Sequence, residues 1–253
     1  MSAYFDVKQH FHPTQQGDIG LPILYYNTAA VFASFVVERE RAQALLPPEL
    51  VAVPVAPGKA LVTVAFFQYV DSSVGPYNEM GLAVGARPAA ARGFRDTAAM
   101  HPGKSMLPGM YVVDLPVTTT TALVAGRELW GYPKIVTPIA FQLRGPALAC
   151  AVHDTDGKTL LCGLKGRAGA GLPLGAPNLL TYTCLEGRLL RTTINLRGRM
   201  QHAAAGSVRL DCGQSDHLLS EHLRGLGLHH ETPLMLQYGQ GLRALLPAGE
   251  AVR

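Results

Sequence analysis

The stretch Gly126-Arg-Glu-Leu-Trp-Gly-Tyr-Pro-Lys-Ile-Val136 places one lysine, Lys134, in an apolar run. The chain has only six lysines, and four of the other five lie beside a glycine, the setting of a solvated turn. Burial disfavours the charged form of an ammonium group, and an uncharged amine can attack a carbonyl carbon. The stretch therefore predicts a Schiff-base lysine. The alternative is a lysine at a strand end whose ammonium group reaches water.

The overall composition is that of an ordered, rather apolar globule. Hydrophobic residues make up 48% of the 253 residues and charged residues only 16%, which argues against disorder. No repeat, linker or shift in composition divides the chain, so the sequence predicts one domain over residues 1–253, with an N-terminal arm at residues 1–20. No apolar run reaches the roughly 20 residues that span a bilayer, and the first residues do not resemble a signal peptide. We expect a cytoplasmic protein without membrane contact.

Charge and cysteine patterns argue against several classes of function. The net charge is +4, but the arginines are scattered and form no basic stripe with aromatic residues, so nucleic-acid binding is not predicted. The four cysteines are widely spaced, and the nine histidines form no metal-like grouping. The cysteines are predicted to be buried thiols, and neither a metal nor another cofactor is predicted.

Short β-branched and aromatic runs dominate the chain and predict many strands. They include Thr118–Val124, which leads into the lysine stretch, and a hairpin that turns at Glu186-Gly187. Helical spacing is confined to short segments, Glu38–Leu46 and Ser215–Leu226. Without a strand-helix-strand rhythm, this pattern predicts an α+β fold made mostly of antiparallel strands, curled or closed, with a few peripheral helices.

Three segments together carry a family resemblance. The motif Gly126-Arg-Glu-Leu-x-x-Tyr-Pro-Lys134, preceded by Met110-Tyr-Val-Val-Asp114 and Gly75-Pro-Tyr-Asn-Glu79, closely resembles the acetoacetate decarboxylase family. The likeness runs from about residue 20 to Leu246-Pro-Ala-Gly249. It implies a closed antiparallel β-cone or barrel, usually within a homo-oligomer. It also implies that Lys134 forms an imine with a β-keto acid and that the protonated imine acts as an electron sink.

The chain departs from the family pattern at three positions. A neighbouring cation that activates the lysine in the family is replaced here by Ile135. The substrate-binding arginine expected from the resemblance falls near Thr28, which carries no charge. One of two expected glutamates falls near Val64 or Ala65, whereas the other is matched by Glu79. We therefore expect the scaffold of the family with an altered pocket, and weak or absent decarboxylation of acetoacetate.

Five further residues complete the predicted site. Glu79 is predicted to exchange protons during imine formation, because dehydration of a carbinolamine needs an acid; the alternative is a structural ion pair. If the lysine stretch runs as a strand, Trp130, Tyr132 and Lys134 share one face and both rings can bind substrate, or else simply fill the barrel. Arg92 and Arg95 can hold a carboxylate, or can lie in a solvated loop.

Three functions remain open at this point. The first is a lyase that joins Lys134 to a small keto acid through a Schiff base, with aldol, dehydration or related imine–enamine chemistry favoured over plain decarboxylation. The second is a cyclase or isomerase that uses an apolar cavity and acid–base residues on a larger, polyketide-like substrate. The third is a binding protein without turnover. In each case the partner is a small molecule with a carbonyl or keto-acid group.

Overall fold

The computed structural model describes residues 3–91 and 109–252. Strands make up most of these ranges, and the helices are short. The helices are α1 (Arg39–Gln43), α2 (Thr120–Trp130) and α3 (Leu218–Gly225), with a 3-10 turn at Ala3–Phe5. The strands are β1 (His10–His12), β2 (Ile19–Leu21), β3 (Ile23–Glu38), β4 (Leu50–Ala52), β5 (Pro54–Ala56), β6 (Lys59–Ser72), β7 (Tyr77–Pro88), β8 (Gly109–Asp114), β9 (Ile139–Arg144), β10 (Ala147–His153), β11 (Leu160–Arg167), β12 (Gly171–Gly175), β13 (Leu179–Leu185), β14 (Arg188–Arg197), β15 (Arg199–Ala203), β16 (Arg209–Cys212), β17 (Met235–Leu246) and β18 (Glu250–Ala251).

Seven of these strands close into a mixed barrel. They are hydrogen-bonded in the order β17-β3-β6-β7-β8-β13-β14, and β14 pairs back with β17. Every pair around this ring is antiparallel except β8 with β13, which run parallel. The closed, mostly antiparallel barrel predicted from the sequence is confirmed.

The central barrel strands are buried on both faces. Along β3, Val31, Ala33 and Phe35 point outward into one apolar core, whereas Ala30 and Phe32 point into the barrel. This alternation follows from the two-residue period of a strand. Because both faces are buried, the strand reads as an almost continuous apolar run.

A second, four-stranded sheet covers the outside of the barrel. Its order is β16-β11-β10-β9, and its apolar side chains pack with α3 against the outward residues of β3, β6 and β7. Cys150, Cys162 and Cys212 lie in this core as free thiols, and Cys184 is partly exposed elsewhere. Burial raises the pKa of Cys150 and of Cys212 to about 12. For these three cysteines the prediction of buried thiols is confirmed.

The segment before the lysine is a helix, so the predicted strand at Thr118–Val124 is wrong. Thr119 caps the N-terminus of α2 by accepting a hydrogen bond from the backbone N–H of Ala122. Gly131 ends the helix in the left-handed region, with φ of 67°. A Cβ at this glycine would also lie 2.1 Å from the carbonyl oxygen of Cys184. The two caps override the strand propensity of the threonine run.

The predicted hairpin and the predicted C-terminal helix agree more closely with the structure. The predicted hairpin is formed by β13 and β14, and Glu186 and Gly187 at its turn both have positive φ. The C-terminal helix begins later than expected, because His217 rather than Ser215 is its N-cap. In the N-terminal segment, β1 and β2 pair with each other. No helix in the two described ranges is long and apolar enough to cross a membrane.

Candidate active site

Lys134 lies in the irregular segment that follows α2. The backbone turns sharply there, because the N–H of Lys134 donates to the carbonyl of Tyr132 at 2.8 Å. The Arg127 guanidinium donates from Nε to the carbonyl oxygen of Lys134 at 2.8 Å. The next residue, Ile135, accepts from the N–H of Val117 at 2.8 Å. Helix and neighbouring chain thus fix the lysine backbone from two sides.

The side chain of Lys134 reaches a carboxylate inside the barrel. Its Nζ donates to Oε2 of Glu79 at 2.7 Å. Both residues are almost fully buried, Lys134 with 5% and Glu79 with 6% of their surface exposed. The hydroxyl of Tyr69 donates to the other oxygen of Glu79, Oε1, at 3.0 Å. Tyr69, Glu79 and Lys134 therefore form one continuous hydrogen-bonded chain.

Tyrosine rings surround this chain. The Lys134 Nζ lies 5.5 Å from the ring centroid of Tyr77 and 5.8 Å from that of Tyr132, distances at which a cation interacts with a ring face. The hydroxyls of Tyr25 and Tyr77 lie 3.0 Å apart. Burial first, and the negative charge of Glu79 in addition, raise the pKa of Tyr25 and of Tyr69. These hydroxyls keep their protons at neutral pH and can donate hydrogen bonds.

The lysine and its carboxylate form part of the wall of a cavity inside the barrel. The cavity has a volume of about 200 Å³. Along β6 its wall runs from Leu61 to Tyr69, which is about 26 Å of strand. The wall is mostly apolar, and the charged pair lies near the Tyr69 end, because Glu79 bonds to that residue. An apolar cleft with a few convergent polar groups is the usual form of a small-molecule site.

Comparison with known families agrees with this arrangement. The family model described as acetoacetate decarboxylase matches residues 9–176, which is more than half of the chain. The chain belongs to the acetoacetate decarboxylase family. A comparison with curated protein sequences found no match.

Several solved structures share the fold. Acetoacetate decarboxylase from Legionella pneumophila matches with a TM-score of 0.65 and 18% identity, over 98% of this chain and 92% of that one. The enduracididine biosynthesis enzyme MppR, complexed with pyruvate, matches with a TM-score of 0.65 and 11% identity, over 94% of this chain and 93% of that one. An acetoacetate decarboxylase-like enzyme from Sphingomonas wittichii RW1 matches with a TM-score of 0.59 and 16% identity, over 93% and 94%.

Two of the positions at which this family member departs from the family pattern line the cavity. Thr28 and Ala65 both line it, whereas Val64 faces the outer core. Ile135 follows the lysine but is not among the lining residues. The replacement of expected charges by Thr28 and Ala65 therefore leaves an uncharged wall where the resemblance implied an arginine and a glutamate.

The structure brings together only part of the predicted site. Lys134, Glu79 and Tyr132 meet at the cavity. Trp130 does not line it: this residue is the last of α2, is fully buried, and donates its indole N–H to the carbonyl of Pro247 at 2.9 Å. The predicted shared strand face is wrong because Trp130 is helical. Its position fits the alternative of packing.

The predicted residues Arg92 and Arg95 lie outside the described residues. Among the residues that are described, no three His, Cys, Asp or Glu side chains are grouped so that they could hold a metal ion.

Sequence reasoning missed Tyr69 and Tyr77. In the hairpin of β6 and β7, Tyr69 lies opposite Tyr77 and Phe67 lies opposite Glu79. Alternation along both strands then puts all four side chains on one face. A predicted turn at residues 72–75 would have fixed this register, so the signal was present in the sequence.

Proposed function

We propose that this protein is a lyase whose Lys134 forms an imine with a small carbonyl substrate. The observation that carries the proposal is the buried contact of 2.7 Å between Nζ of Lys134 and Oε2 of Glu79 at the cavity wall. The resemblance makes a small keto acid the reference substrate. The proposal includes a cytoplasmic homo-oligomer that needs no cofactor.

The first step is attack of the amine nitrogen on the carbonyl carbon. Attack requires an uncharged amine, and Glu79 can take the proton of Lys134 across their hydrogen bond. The pair has no net charge before or after this transfer, so the buried site bears no additional charge. The nitrogen becomes cationic on attack and passes a proton to the carbonyl oxygen, which becomes the hydroxyl of a carbinolamine while Glu79 stays protonated.

The second step is loss of water. The protonated Glu79 donates its proton to the departing hydroxyl, and the nitrogen lone pair forms the iminium double bond. Tyr69 holds Oε1 of Glu79 at 3.0 Å, which directs Oε2 toward the lysine nitrogen. Water leaves, and Glu79 is again a carboxylate beside a cationic iminium nitrogen.

In the third step the iminium group accepts the electron pair of the bond that breaks at the adjacent carbon. Loss of carbon dioxide, loss of an α-proton and carbon–carbon bond formation from the enamine all pass through this electron sink. Aldol or dehydration chemistry is favoured over plain decarboxylation, because Thr28 offers no charge for a carboxylate. MppR has also been described with the condensation product of pyruvate and imidazole 4-carboxaldehyde.

Tyr132, Arg92 and Arg95 have supporting roles in the proposal. Tyr132 lines the cavity within 5.8 Å of the lysine nitrogen and can pack against bound substrate. Arg92 and Arg95 stay predicted carboxylate ligands. Trp130 is proposed to support the site by packing under Tyr132, whose ring centroid lies 6.1 Å from its own.

A second candidate is a cyclase or isomerase without an imine. The observation that favours it is the aromatic and aliphatic wall that extends away from Lys134 toward Leu61. In this second candidate, Glu79 and the tyrosines act as acid–base groups on a larger apolar substrate. Lys134 then serves only as the ion-pair partner of Glu79.

Reductive trapping distinguishes the two candidates. The protein is incubated with pyruvate or acetoacetate and borohydride, and the adduct is located by intact mass and peptide mapping. We expect one adduct, at Lys134. Lys165 is the matched control, since its side chain is 72% exposed and should react no faster than free lysine. Labelling of exposed lysines alone, across a panel of carbonyl compounds, would favour the cyclase. Robust decarboxylation of acetoacetate would contradict the expected preference for other imine chemistry.

A further inference from the structure

Thr28 has a buried hydroxyl without a partner. Only 1% of the residue is exposed, and it lines the cavity. Among the described residues its Oγ1 is the one buried side-chain polar atom that lacks a hydrogen-bond partner. Burying a hydroxyl without a hydrogen bond costs free energy, and such atoms are uncommon in folded proteins. A ligand in the cavity would supply the missing partner.

The position of Thr28 connects it to the reactive chain. Thr28 on β3 lies directly opposite Tyr69 on β6. Side chains opposite each other on antiparallel strands are separated by about 5 Å at Cβ. Tyr69 bonds to Glu79, and Glu79 bonds to Lys134. Thr28 and Lys134 line the same cavity, so a molecule that fills it can contact both.

The charges in the cavity wall are already matched. Among its described lining residues, the acidic and basic side chains are Glu79 and Lys134, and they pair with each other. A substrate carboxylate held here would meet no further cation in the described wall, and it would repel Glu79. Burial of an unpaired carboxylate is strongly unfavourable.

The remaining wall near Thr28 is aromatic. The rings of Phe67 and Tyr69 are stacked, with centroids 5.6 Å apart and an angle of 5° between their planes. Phe32 meets Phe67 edge to face at 5.4 Å. These faces suit an apolar substituent and offer no ligand for an anion.

We propose that the substrate of Lys134 is an uncharged carbonyl compound with a second, neutral oxygen that accepts a hydrogen bond from Thr28. Thr28 is thus a specificity-determining residue at a position that hydrogen-bonds an ester, ketone or hydroxyl oxygen, while the apolar part of the substrate lies against Phe67. This inference rests on the proposed imine chemistry and replaces the keto acid of that proposal by a neutral carbonyl compound, so Arg92 and Arg95 would hold no substrate carboxylate.

Matched acids and esters test the substrate class. Pyruvate is compared with methyl pyruvate, and acetoacetate with methyl acetoacetate, by the rate of borohydride trapping at Lys134. Each rate is divided by the rate with Nα-acetyl-lysine, which removes the intrinsic reactivity of the carbonyl group. We expect each normalised ester rate to exceed the acid rate by about tenfold or more. Equal rates, or faster trapping of the acids, would overturn the neutral class and leave the imine proposal standing. No adduct with any of the four compounds would overturn both.

Variants of Thr28 test the hydrogen bond. Thr28→Val keeps the shape and removes the hydroxyl, and Thr28→Ser keeps the hydroxyl. We expect Thr28→Val to lower the normalised ester rate by about three- to tenfold, the worth of one hydrogen bond, and Thr28→Ser to retain most of it. Without ligand, Thr28→Val should melt at the same temperature as the parent protein or higher, because an unpaired buried hydroxyl has been removed.

Thr183 provides the matched control. It is equally buried, but its hydroxyl donates to the carbonyl of Trp130 at 2.6 Å, and it does not line the cavity. Thr183→Val should therefore lower the melting temperature and leave ester trapping unchanged. If Thr28→Val instead behaves like Thr183→Val, with lower stability and unchanged trapping, Thr28 is a structural residue and the inference fails.

Discussion

Gly126 of α2 packs directly against the aliphatic chain of Lys134. A Cβ placed on this glycine would lie 2.5 Å from both Cδ and Cε of the lysine, and 3.2 Å from its Nζ. Contacts under 3.0 Å force something to move, and here the mobile group is the lysine side chain itself. The glycine in the middle of a helix is therefore explained by the course of the lysine toward Glu79.

Gly126→Ala is expected to separate helix stability from function. Alanine has a higher helix propensity than glycine by about 1 kcal/mol, but the new methyl group displaces Lys134 from Glu79. We expect trapping at Lys134 to fall by at least about tenfold, with little change in circular dichroism. Gly225→Ala is the control, since Gly225 also lies in a helix and a Cβ there meets nothing within 4 Å. Equal trapping rates in the two variants would show that the contact does not position the lysine.

The buried ion pair should show strong coupling between its members. Lys134→Met leaves Glu79 buried without a cation, so we expect a loss of about 3 kcal/mol or more in the free energy of unfolding. Glu79→Gln added to Lys134→Met removes the remaining charge and should restore much of that loss. Urea denaturation of both single variants and the double variant measures the coupling. Additive effects would contradict a direct pair.

Tyr69→Phe is expected to slow the reaction without unfolding the protein. The change removes the hydrogen bond to Oε1 of Glu79, and a bond to a charged group is worth about 1.5–3 kcal/mol, or roughly ten- to a hundredfold in rate. Tyr182→Phe is the control, because Tyr182 packs in a separate cluster with Leu50 and Leu189. A parent-like trapping rate for Tyr69→Phe would show that this tyrosine does not orient Glu79 for the reaction.

The contact between His222 and Asp114 should make stability depend on pH. Nδ1 of His222 lies 2.8 Å from Oδ2 of Asp114, and this hydrogen bond raises the pKa of the histidine above its usual value. Because the histidine binds its proton more tightly in the folded protein, protonation increases the free energy of unfolding. The increase is fully present below about pH 6.5, the pKa of histidine in the unfolded chain, and is lost as the pH rises through the pKa in the folded protein. We expect His222→Gln to lower the melting temperature by about 1–3 °C at pH 5.5 and by less at pH 8.5. A difference that grows with pH would contradict the ion pair.

Local sequence signals identified the lysine but not the element before it. Thr118–Thr121 and Val124 favour a strand when each residue is judged by its own propensity. The structure forms a helix because Thr119 satisfies an N-terminal amide and Gly131 supplies the left-handed turn. Both capping residues are visible in the sequence, and together they outweigh the strand propensity of the threonine run. The misplaced face of Trp130 followed directly from the strand prediction.

The part of the candidate site that the sequence did not predict depends on pairing between strands that are distant in the chain. The motif and the resemblance gave Lys134 and Glu79, and the hairpin register would have added Tyr69. The cross-strand position of Thr28 depends on β3 lying beside β6, two strands joined by α1 and two short strands. The residues next to Thr28 in the sequence do not predict that its hydroxyl lacks a hydrogen-bond partner. The lack of a partner depends on all the elements that enclose the side chain.

The one parallel pair of the barrel has a consequence for how the protein folds. β8 ends at Asp114, and its neighbour in the barrel, β13, begins at Leu179. The chain between these two adjacent strands leaves the barrel and returns to it. This excursion contains α2, Lys134 and most of the outer sheet. The entropy of closing this long excursion is lost before the β8–β13 contacts form, which raises the contact order and slows folding. Lys134, the proposed nucleophile, lies on this excursion, and Glu79, its proposed acid, lies on β7. We therefore expect a refolding chain to acquire reactivity toward carbonyl compounds only when the ring of strands closes.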